Sequence, residues 1–449
     1  MNVENSGDLT MESIARSIVR KLRQAGHVAY YAGGCVRDLL RGQAPKDIDV
    51  ATDARPEVVQ RIFPRTYAVG AHFGVIVVLE AGFQFEVATF RSDGVYLDGR
   101  HPTDVHFATA AEDAARRDFT INGMFFDPEA NEFVDFVGGR ADLEARIIRA
   151  IGNPEQRFAE DRLRMLRALR FATVLGFDID RGTWDALVEY APLISEISAE
   201  RIRDELVRIF ISPQRARGWD LLDASGLMAA ILPEIQAMKG CAQPPQFHPE
   251  GDVFRHTRIM MELLPAEASL PLVFSVLLHD VAKPVTSSVD ENGRIRFNGH
   301  DRIGAEMTEA IMQRLRFSRS EIDATVEAVR QHMVFKDVPN MRVAKLKRFM
   351  ARPTFSDELE LHRVDCASSH GMMENYDFLR RKREEFANEP IIPPPFVRGN
   401  DLLALGLKEG PKIGEILEAV ETRQLEGGFR DRDEALEWVK REYLAREKN

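Results

Sequence analysis

A change of hydrophobic rhythm near residue 140 constrains this chain more than any other feature. From 25 to 140, short runs rich in β-branched and aromatic residues ("HVAYYAGG", "IDVAT", "GVIVVL", "FQFEVATF") alternate with turn signals, the pattern of an α/β or α+β unit. Beyond 140, "ADLEARIIRAI", "EDRLRMLRALRFATVL", "TWDALVEYAPLI", "SAERIRDELVRIF" and "GWDLLDASGLMAAIL" place apolar residues at helical spacing, and strand signals nearly vanish. A small α+β head therefore precedes a long helical chain. Pro- and Gly-rich breaks at 240–252 ("GCAQPPQFHPEGD") and 388–401 ("NEPIIPPPFVRGND") divide the helical part. The expected order is an N-terminal helix (1–24), the head (25–140), a first helical segment (141–245), a second (246–375) and a helical tail (376–449).

Composition narrows the class. With 449 residues, 44% hydrophobic and 29% charged, the chain has material for several cores. Cys35, Cys241 and Cys366 lack metal-ligand spacing and do not form a disulfide framework, which points to a reducing compartment. The N-terminus runs from a polar lead into an amphipathic helix without the apolar stretch of a signal peptide, and no later run reaches membrane-spanning length. A soluble, cytoplasmic protein is expected. The formal charge of -11 argues against a broadly basic nucleic-acid binder, yet "RFAEDRLRMLRALRF" (157–171), "MRVAKLKRFMARP" (341–353) and "RRKR" (380–383) are locally basic. Solvated helix faces are the alternative reading of each run.

The chemistry begins at "KDIDVAT" (46–52), where strand alternation would turn Asp47 and Asp49 to the same side. Two adjacent anions repel unless a cation lies between them, and Mg²⁺ bound through carboxylates and phosphate oxygens suits such a pair. The preceding "YYAGGCVRDLL" reads as strand, Gly33–Gly34 turn and helix, an arrangement that lets backbone N–H groups approach a phosphate while Arg37 adds charge. An ordinary Arg37–Asp38 first-turn pair is the bland alternative. Glu86 in "FQFEVATFR" sits mid-strand among apolar neighbours, where an unpaired acid is costly, so it is expected to face the same cations. Three such acids make the ligand set of a two-metal, in-line displacement, with one ion activating a 3′-hydroxyl and the other neutralising pyrophosphate.

Taken together and in order, "GGCVRD", "DIDVAT", "RRDFTINGMFFD", "EDRLRMLRALRF" and "SAERIRDEL" resemble the motifs of class II tRNA nucleotidyltransferases, the bacterial CCA-adding enzymes, whose wider family includes poly(A) polymerases. The resemblance covers roughly residues 25 to 215. It implies a polymerase-beta-like α+β head followed by a mostly α-helical neck, body and tail, and Mg²⁺-dependent addition of CMP and AMP from CTP and ATP to the tRNA acceptor end. It assigns nucleotide recognition to Asp161, Arg164, Arg167 and Arg170, and ribose contacts to Arg117 and Asp118, with Asn122 assisting. Cytosine and adenine both present an amino donor beside a ring-nitrogen acceptor, so an aspartate with an arginine accepts them and rejects uracil and guanine. At about 100° per residue, Asp161, Arg164 and Arg167 lie on neighbouring parts of one helix face, while Arg170 drifts to roughly the opposite side, where a surface or inter-helix partner is the competing role. The turn-rich "RSDGVYLDGRHPTD" between Glu86 and Arg117 is expected to serve the change from C to A addition; trimming 93–101 should spare the first and stop the second.

A second constellation lies further on. Five of the 11 histidines fall within 248–332. His256 in "FRHTRIMMELL", adjacent His279-Asp280 in "VFSVLLHDVAKP", His300, His332 and Asp365 together resemble an HD-superfamily phosphohydrolase domain. That resemblance makes His256, His279, Asp280 and Asp365 ligands of a divalent transition metal such as Mn²⁺, Co²⁺ or Ni²⁺, with His300 and His332 as accessory groups for phosphate or a second ion. An A-adding enzyme, a poly(A) polymerase, or a phosphohydrolase with a vestigial head are the alternatives; monomer and homodimer both remain open.

Overall fold

The computed structural model describes residues 10–68, 74–94, 105–387 and 390–444. The chain forms two compact units, Met1–Gln236 and Ala237–Asn449, whose boundary lies just ahead of the Pro- and Gly-rich stretch 240–252. Most of the segment 93–101, expected to act in the change of nucleotide, lies outside the described residues; Arg91–Asp93 pairs antiparallel with Val105–Phe107 on its flanks.

In the first unit, an amphipathic helix (Met11–Gln24) buries Ile14, Ile18, Val19 and Leu22 and is capped by Thr10, whose hydroxyl accepts from Ser13 N–H. The head is a seven-stranded sheet built from β1 (Ala29–Ala32), β2 (Asp49–Thr52), β3 (Thr66–Tyr67), β4 (Val75–Glu80), β5 (Phe83–Thr89), β6 (Phe125–Asp127) and β7 (Glu132–Val134), in the spatial order β3-β4-β5-β2-β1-β6-β7. All pairings are antiparallel except β2 with β5, where Val50 opposes Val87. That register sets Asp49 beside Glu86 at the start of the pairing. Helices Pro154–Glu160, Leu163–Leu175, Arg181–Tyr190, Ala199–Phe210 and Arg215–Ala224 follow.

"ADLEARIIRAI" does not continue as one helix. It ends at Arg146 in the left-handed region (φ 60°), and Ile147–Ile148 becomes a short strand parallel to Asp178–Ile179.

Among its described residues the second unit is mostly helical, with one hairpin, Ser287–Val289 against Ile295–Phe297. Helix Leu270–Leu278 buries every residue from Leu272 to Leu278, as a helix that is apolar all round must. Helices Val253–Leu263, His300–Arg314, Arg319–Gln331 and Phe355–Ser368 belong to the same unit, and a further apolar cluster in the tail centres on Val397, Leu402, Ile416 and Val420. No helix among the described residues is long and apolar enough to cross a membrane.

Candidate active sites

One cavity of about 540 Å³ in the first unit gathers Gly33, Gly34, Arg37, Asp47, Asp49, Arg117, Asp118, Asn122, Asp161, Arg164, Arg167 and Arg170, so of the thirteen residues assigned from sequence to metal, phosphate, ribose and base all but Glu86 meet in one place. Its lining holds eight arginines against four aspartates, a positive field suited to a triphosphate. Gly33 has φ 75°, which favours glycine, and a Cβ there would stand in ordinary contact with Arg117 Nη1 (3.4 Å) and Asp49 Oδ2 (3.8 Å).

Two expectations about the acids need correction. Asp47 lies in a bend ahead of β2 rather than in the strand, and the two carboxylates converge on the cavity because the chain turns there. Glu86 is exposed, so the cost of burial does not explain it; the parallel pairing of β2 with β5 brings it beside Asp49 instead. Burial, then the charges of Glu86 and Asp47, push the Asp49 carboxyl up to about 7, with Arg117 only partly offsetting them. Acids that raise one another in this way form a donor set for a hard divalent cation.

The segment expected to read the base also differs from its expected form. Asp161 is extended (φ -143°, ψ 102°) in the break between Pro154–Glu160 and Leu163–Leu175, so it does not share a helix face with Arg164. Its Oδ1 accepts from Leu163 N–H at 3.1 Å and its Oδ2 from Arg201 at 2.9 Å. Arg164 donates to Glu160 Oε2 at 2.7 Å and to the carbonyls of Arg157 and Arg116. Arg167 Nε donates to Asp118 Oδ2 at 2.8 Å. Although burial pushes Asp118 upward, Arg167 and hydrogen bonds from Asn122 and Phe119 N–H hold it below the ordinary carboxylate range. Arg170 reaches the cavity wall despite its helical drift: Glu205 pairs with it at 2.6 Å and it lies over the Phe171 ring.

In the second unit the expected ligands come together, with His256, His279 and Asp280 buried and Asp365 partly exposed beside them. His256 Nε2 is 3.2 Å from Asp365 Oδ1, and His279 Nε2 is 3.1 Å from Asp280 Oδ2. His300 Nε2 stands 3.1 Å from His332 Nε2 and 3.6 Å from Asp280 Oδ1. Asp280, 2% exposed, thus lies between two sets of imidazoles. His256 Nε2 faces Asp365, and His279 Nε2 faces Asp280 Oδ2, which Lys283 also approaches, so imidazole nitrogens and carboxylate oxygens turn toward one another as the donor atoms of a metal-binding set do. Burial lowers the His332 imidazole to about 4, with His279 adding to the effect; burial also opposes the charge on His256, but bonds to Asp365 and Glu250 raise it to about 9.

With both geometries in view, comparison with known proteins gives a consistent answer. A model for the poly A polymerase head domain matches residues 29–149, one for a probable RNA and SrmB-binding site of polymerase A matches 176–239, and the HD domain model matches 253–364. A CCA-adding enzyme of Geobacillus kaustophilus is 42% identical over 232 residues, 51% of this chain but only 57% of that protein, so this match spans little more than half the relative. The CCA-adding enzyme of Anoxybacillus flavithermus is 32% identical over 429 residues, 95% of this chain and 96% of the relative. The chain belongs to the CCA-adding enzyme family. A solved relative, the Bacillus stearothermophilus CCA-adding enzyme in complex with CTP, matches with a TM-score of 0.73 at 28% identity over 98% of this chain and 100% of that one. The α+β head and helical remainder with an HD domain are thus the architecture of the family.

Sequence reasoning missed several residues of this CCA-adding family member's sites. Asp113, almost fully buried, accepts from both Arg116 (2.7 Å) and Arg117 (2.9 Å) and aims them. Arg201, Glu205 and Arg208 come from "SAERIRDELVRIF", a stretch noticed as a motif but given no individual roles. In the second unit, Lys283 reaches Asp280 at 2.6 Å and Gln243 at 2.7 Å, and Glu250 bonds His256. A lysine three residues after Asp280, and "HPE" in a break otherwise read as a linker, were the available signals.

Proposed function

We propose that this chain is a CCA-adding tRNA nucleotidyltransferase, transferring CMP and AMP from CTP and ATP to the tRNA 3′ end with release of pyrophosphate. The observation that carries this reading is the meeting, in one cavity, of Asp47 and Asp49 with Asp161 and the arginines 37, 117, 164, 167 and 170. Asp47, Asp49 and Glu86 would hold Mg²⁺, which supplies charge neutralisation for attack of the 3′-oxygen on the α-phosphorus and for the departing pyrophosphate. The Gly33–Gly34 turn leaves room for phosphate oxygens, and Arg37, Arg167 and Arg170 supply countercharge. Arg117 and Asp118, with Asn122, orient the ribose. Asp161 accepts from the base amino group and Arg164 donates to its neighbouring ring nitrogen once it exchanges Glu160 for the base. Uracil or guanine in that place would leave like groups facing one another.

Purified protein with Mg²⁺, given tRNAs lacking CCA, lacking only the last A, or intact, tests this reading one nucleotide at a time. Defined stopping after one terminal adenosine supports it; addition of A alone would assign the protein to the A-adding branch, and long A tails on arbitrary RNA would assign it to the poly(A) polymerases. Head residues from one chain suffice to form the cavity, so monomer and homodimer both accommodate it. We place the protein in the cytoplasm, where its three free thiols suit reducing conditions.

The convergence of His256 and His279 Nε2 on the carboxylates of Asp365 and Asp280 favours a second activity, metal-dependent phosphohydrolysis in the HD domain. His256, His279, Asp280 and Asp365 would hold a Mn²⁺, Co²⁺ or Ni²⁺ ion, which supplies an activated water, and His300 and His332 would bind phosphate or a second ion. Addition of water to the phosphorus of a 2′,3′-cyclic phosphate with cleavage of its P–O3′ bond would leave a 2′-phosphate and free the 3′-hydroxyl that the head extends. RNA with a cyclic-phosphate end should be extended by the intact protein and not by a His279→Ala, Asp280→Ala variant, whereas equal extension by both would reject the coupling.

A further inference from the structure

The His256 ring is held from both sides, by contacts of two different kinds. Its Nε2 faces Asp365 Oδ1 at 3.2 Å, and its Nδ1 lies 2.7 Å from Glu250 Oε1. The same Glu250 oxygen is 2.9 Å from His248 Nδ1. Two donor atoms that each sit about 2.1 Å from one ion are kept roughly 3 Å or more apart by its coordination angles. The His256–Asp365 and His279–Asp280 separations of 3.2 and 3.1 Å satisfy that spacing. Glu250 stands at the distance of a charge-assisted N–H···O bond from both imidazoles, and it meets the His256 ring at Nδ1, the nitrogen opposite the one that faces Asp365.

We propose that Glu250 is the positioning residue of the second unit's metal centre: its Oε1 accepts the Nδ1–H of His256, fixing the tautomer that leaves Nε2 bare and turned toward Asp365 and His279. His248, sharing the same oxygen, holds the carboxylate in place. Local sequence explains how the contact is made. Asp252 caps helix Val253–Leu263 by accepting from Arg255 N–H, which puts His256 one turn into the helix and folds "HPE" (248–250) back over it. The Glu250 side chain is only 7% exposed and its Oε2 has no hydrogen-bond partner, a cost that packing alone does not require. Carboxylates behind ligating histidines orient the ring and raise its basicity.

This inference rests on the metal-centre reading above, and the test separates the two. Mn²⁺ alone is titrated calorimetrically into chelator-treated full-length protein, with X-ray absorption of the Mn²⁺ complex to count nearest atoms. Glu250→Gln should weaken Mn²⁺ binding by about 10- to 100-fold, with an unchanged circular-dichroism spectrum and an unchanged number of nearest atoms, and Glu250→Asp should recover part of the loss. Affinity of the Gln variant within twofold of the parent would overturn the positioning role and leave the metal centre standing. Loss of one oxygen neighbour would overturn it in favour of a ligand role. Failure of the parent itself to bind Mn²⁺ would remove both.

Discussion

In the head, Asp47 is exposed and Asp49 half-buried in an arginine-rich cavity, while in the second unit Asp280 is 2% exposed and packed among imidazoles. Both arrangements bring acids to a place where a cation is expected, by opposite means. The head leaves its carboxylates to repel one another at an open face and surrounds them with guanidiniums that are themselves tied down by Asp113, Asp118, Asp161 and Glu205. The HD cluster removes its acid from water altogether and compensates it with His279, Lys283 and His300, so that Asp280 is held well below the ordinary carboxylate range despite its burial. An open, repulsive set suits ions that arrive and leave with a nucleotide. A closed, compensated set suits an ion that stays.

The largest effect should come from removing the repulsive pair. Asp47→Ala with Asp49→Ala should lower nucleotide incorporation at least about 1,000-fold, since the charge stabilisation lost at the reacting phosphate is worth several kcal/mol. The melting temperature should hold or rise, because the substitution also relieves the repulsion that raises Asp49. Normal tRNA extension by this variant would break the comparison at its first term.

The next prediction concerns where a divalent ion stabilises the fold. Mn²⁺ at about 100 times its dissociation constant should stabilise the chelator-treated protein by roughly 3 kcal/mol through the HD cluster. The response should vanish in His279→Ala and survive in Asp49→Ala. Thermal melts with and without the ion decide it; a response lost in Asp49→Ala instead would reverse the assignment of the resident ion.

The sequence made the site's membership more legible than its geometry. Gly33 and Asp49 could be named because phosphate and metal chemistry demand those residue types in recognisable local strings, and Asp161 and Arg167 because their string resembles a family motif. Their supports could not, because Asp113, Arg201 and Glu205 act through partners fixed only by tertiary packing. Asp161 shows the limit most clearly: the run "EDRLRMLRALR" has helical periodicity throughout, yet the chain breaks at Asp161, whose carboxylate accepts from the N–H of Leu163, the first residue of the next helix. Glu86 fails in the other direction. An acid between apolar neighbours looked buried, but strand alternation puts Phe85 and Val87 in the core and Glu86 outside. In the second unit the histidines were legible for the opposite reason, since several imidazoles and an Asp on apolar helices have few other uses.

A smaller effect would test whether the head discriminates bases through Asp161. Asp161→Asn keeps the shape but replaces one acceptor oxygen by a donor, so the preference for CTP over UTP should fall about 10- to 100-fold, the worth of one desolvated polar mismatch. Competition between the two nucleotides on a tRNA lacking CCA measures the ratio, and an unchanged preference would move base selection elsewhere in the cavity.

The smallest effect lies in the pH dependence of the head's inner ion pair. Arg167 and the bonds from Asn122 and Phe119 N–H hold Asp118 below the ordinary carboxylate range in the folded state, against the upward push of its burial. A carboxyl depressed on folding binds fewer protons in the native than in the unfolded chain, so its contribution is complete above the unfolded value and is lost as pH falls through the ordinary carboxylate range toward the depressed one. Asp118→Asn should therefore flatten the acid limb of a stability-versus-pH curve for the first unit and change little at neutral pH beyond the constant loss of the pair. Arg167→Gln should flatten the same limb, because without the guanidinium the buried carboxyl rises toward its unfolded value. An acid limb equally steep in both variants would show that the pair, though buried beside the nucleotide cavity, is not what ties the head's stability to its charge.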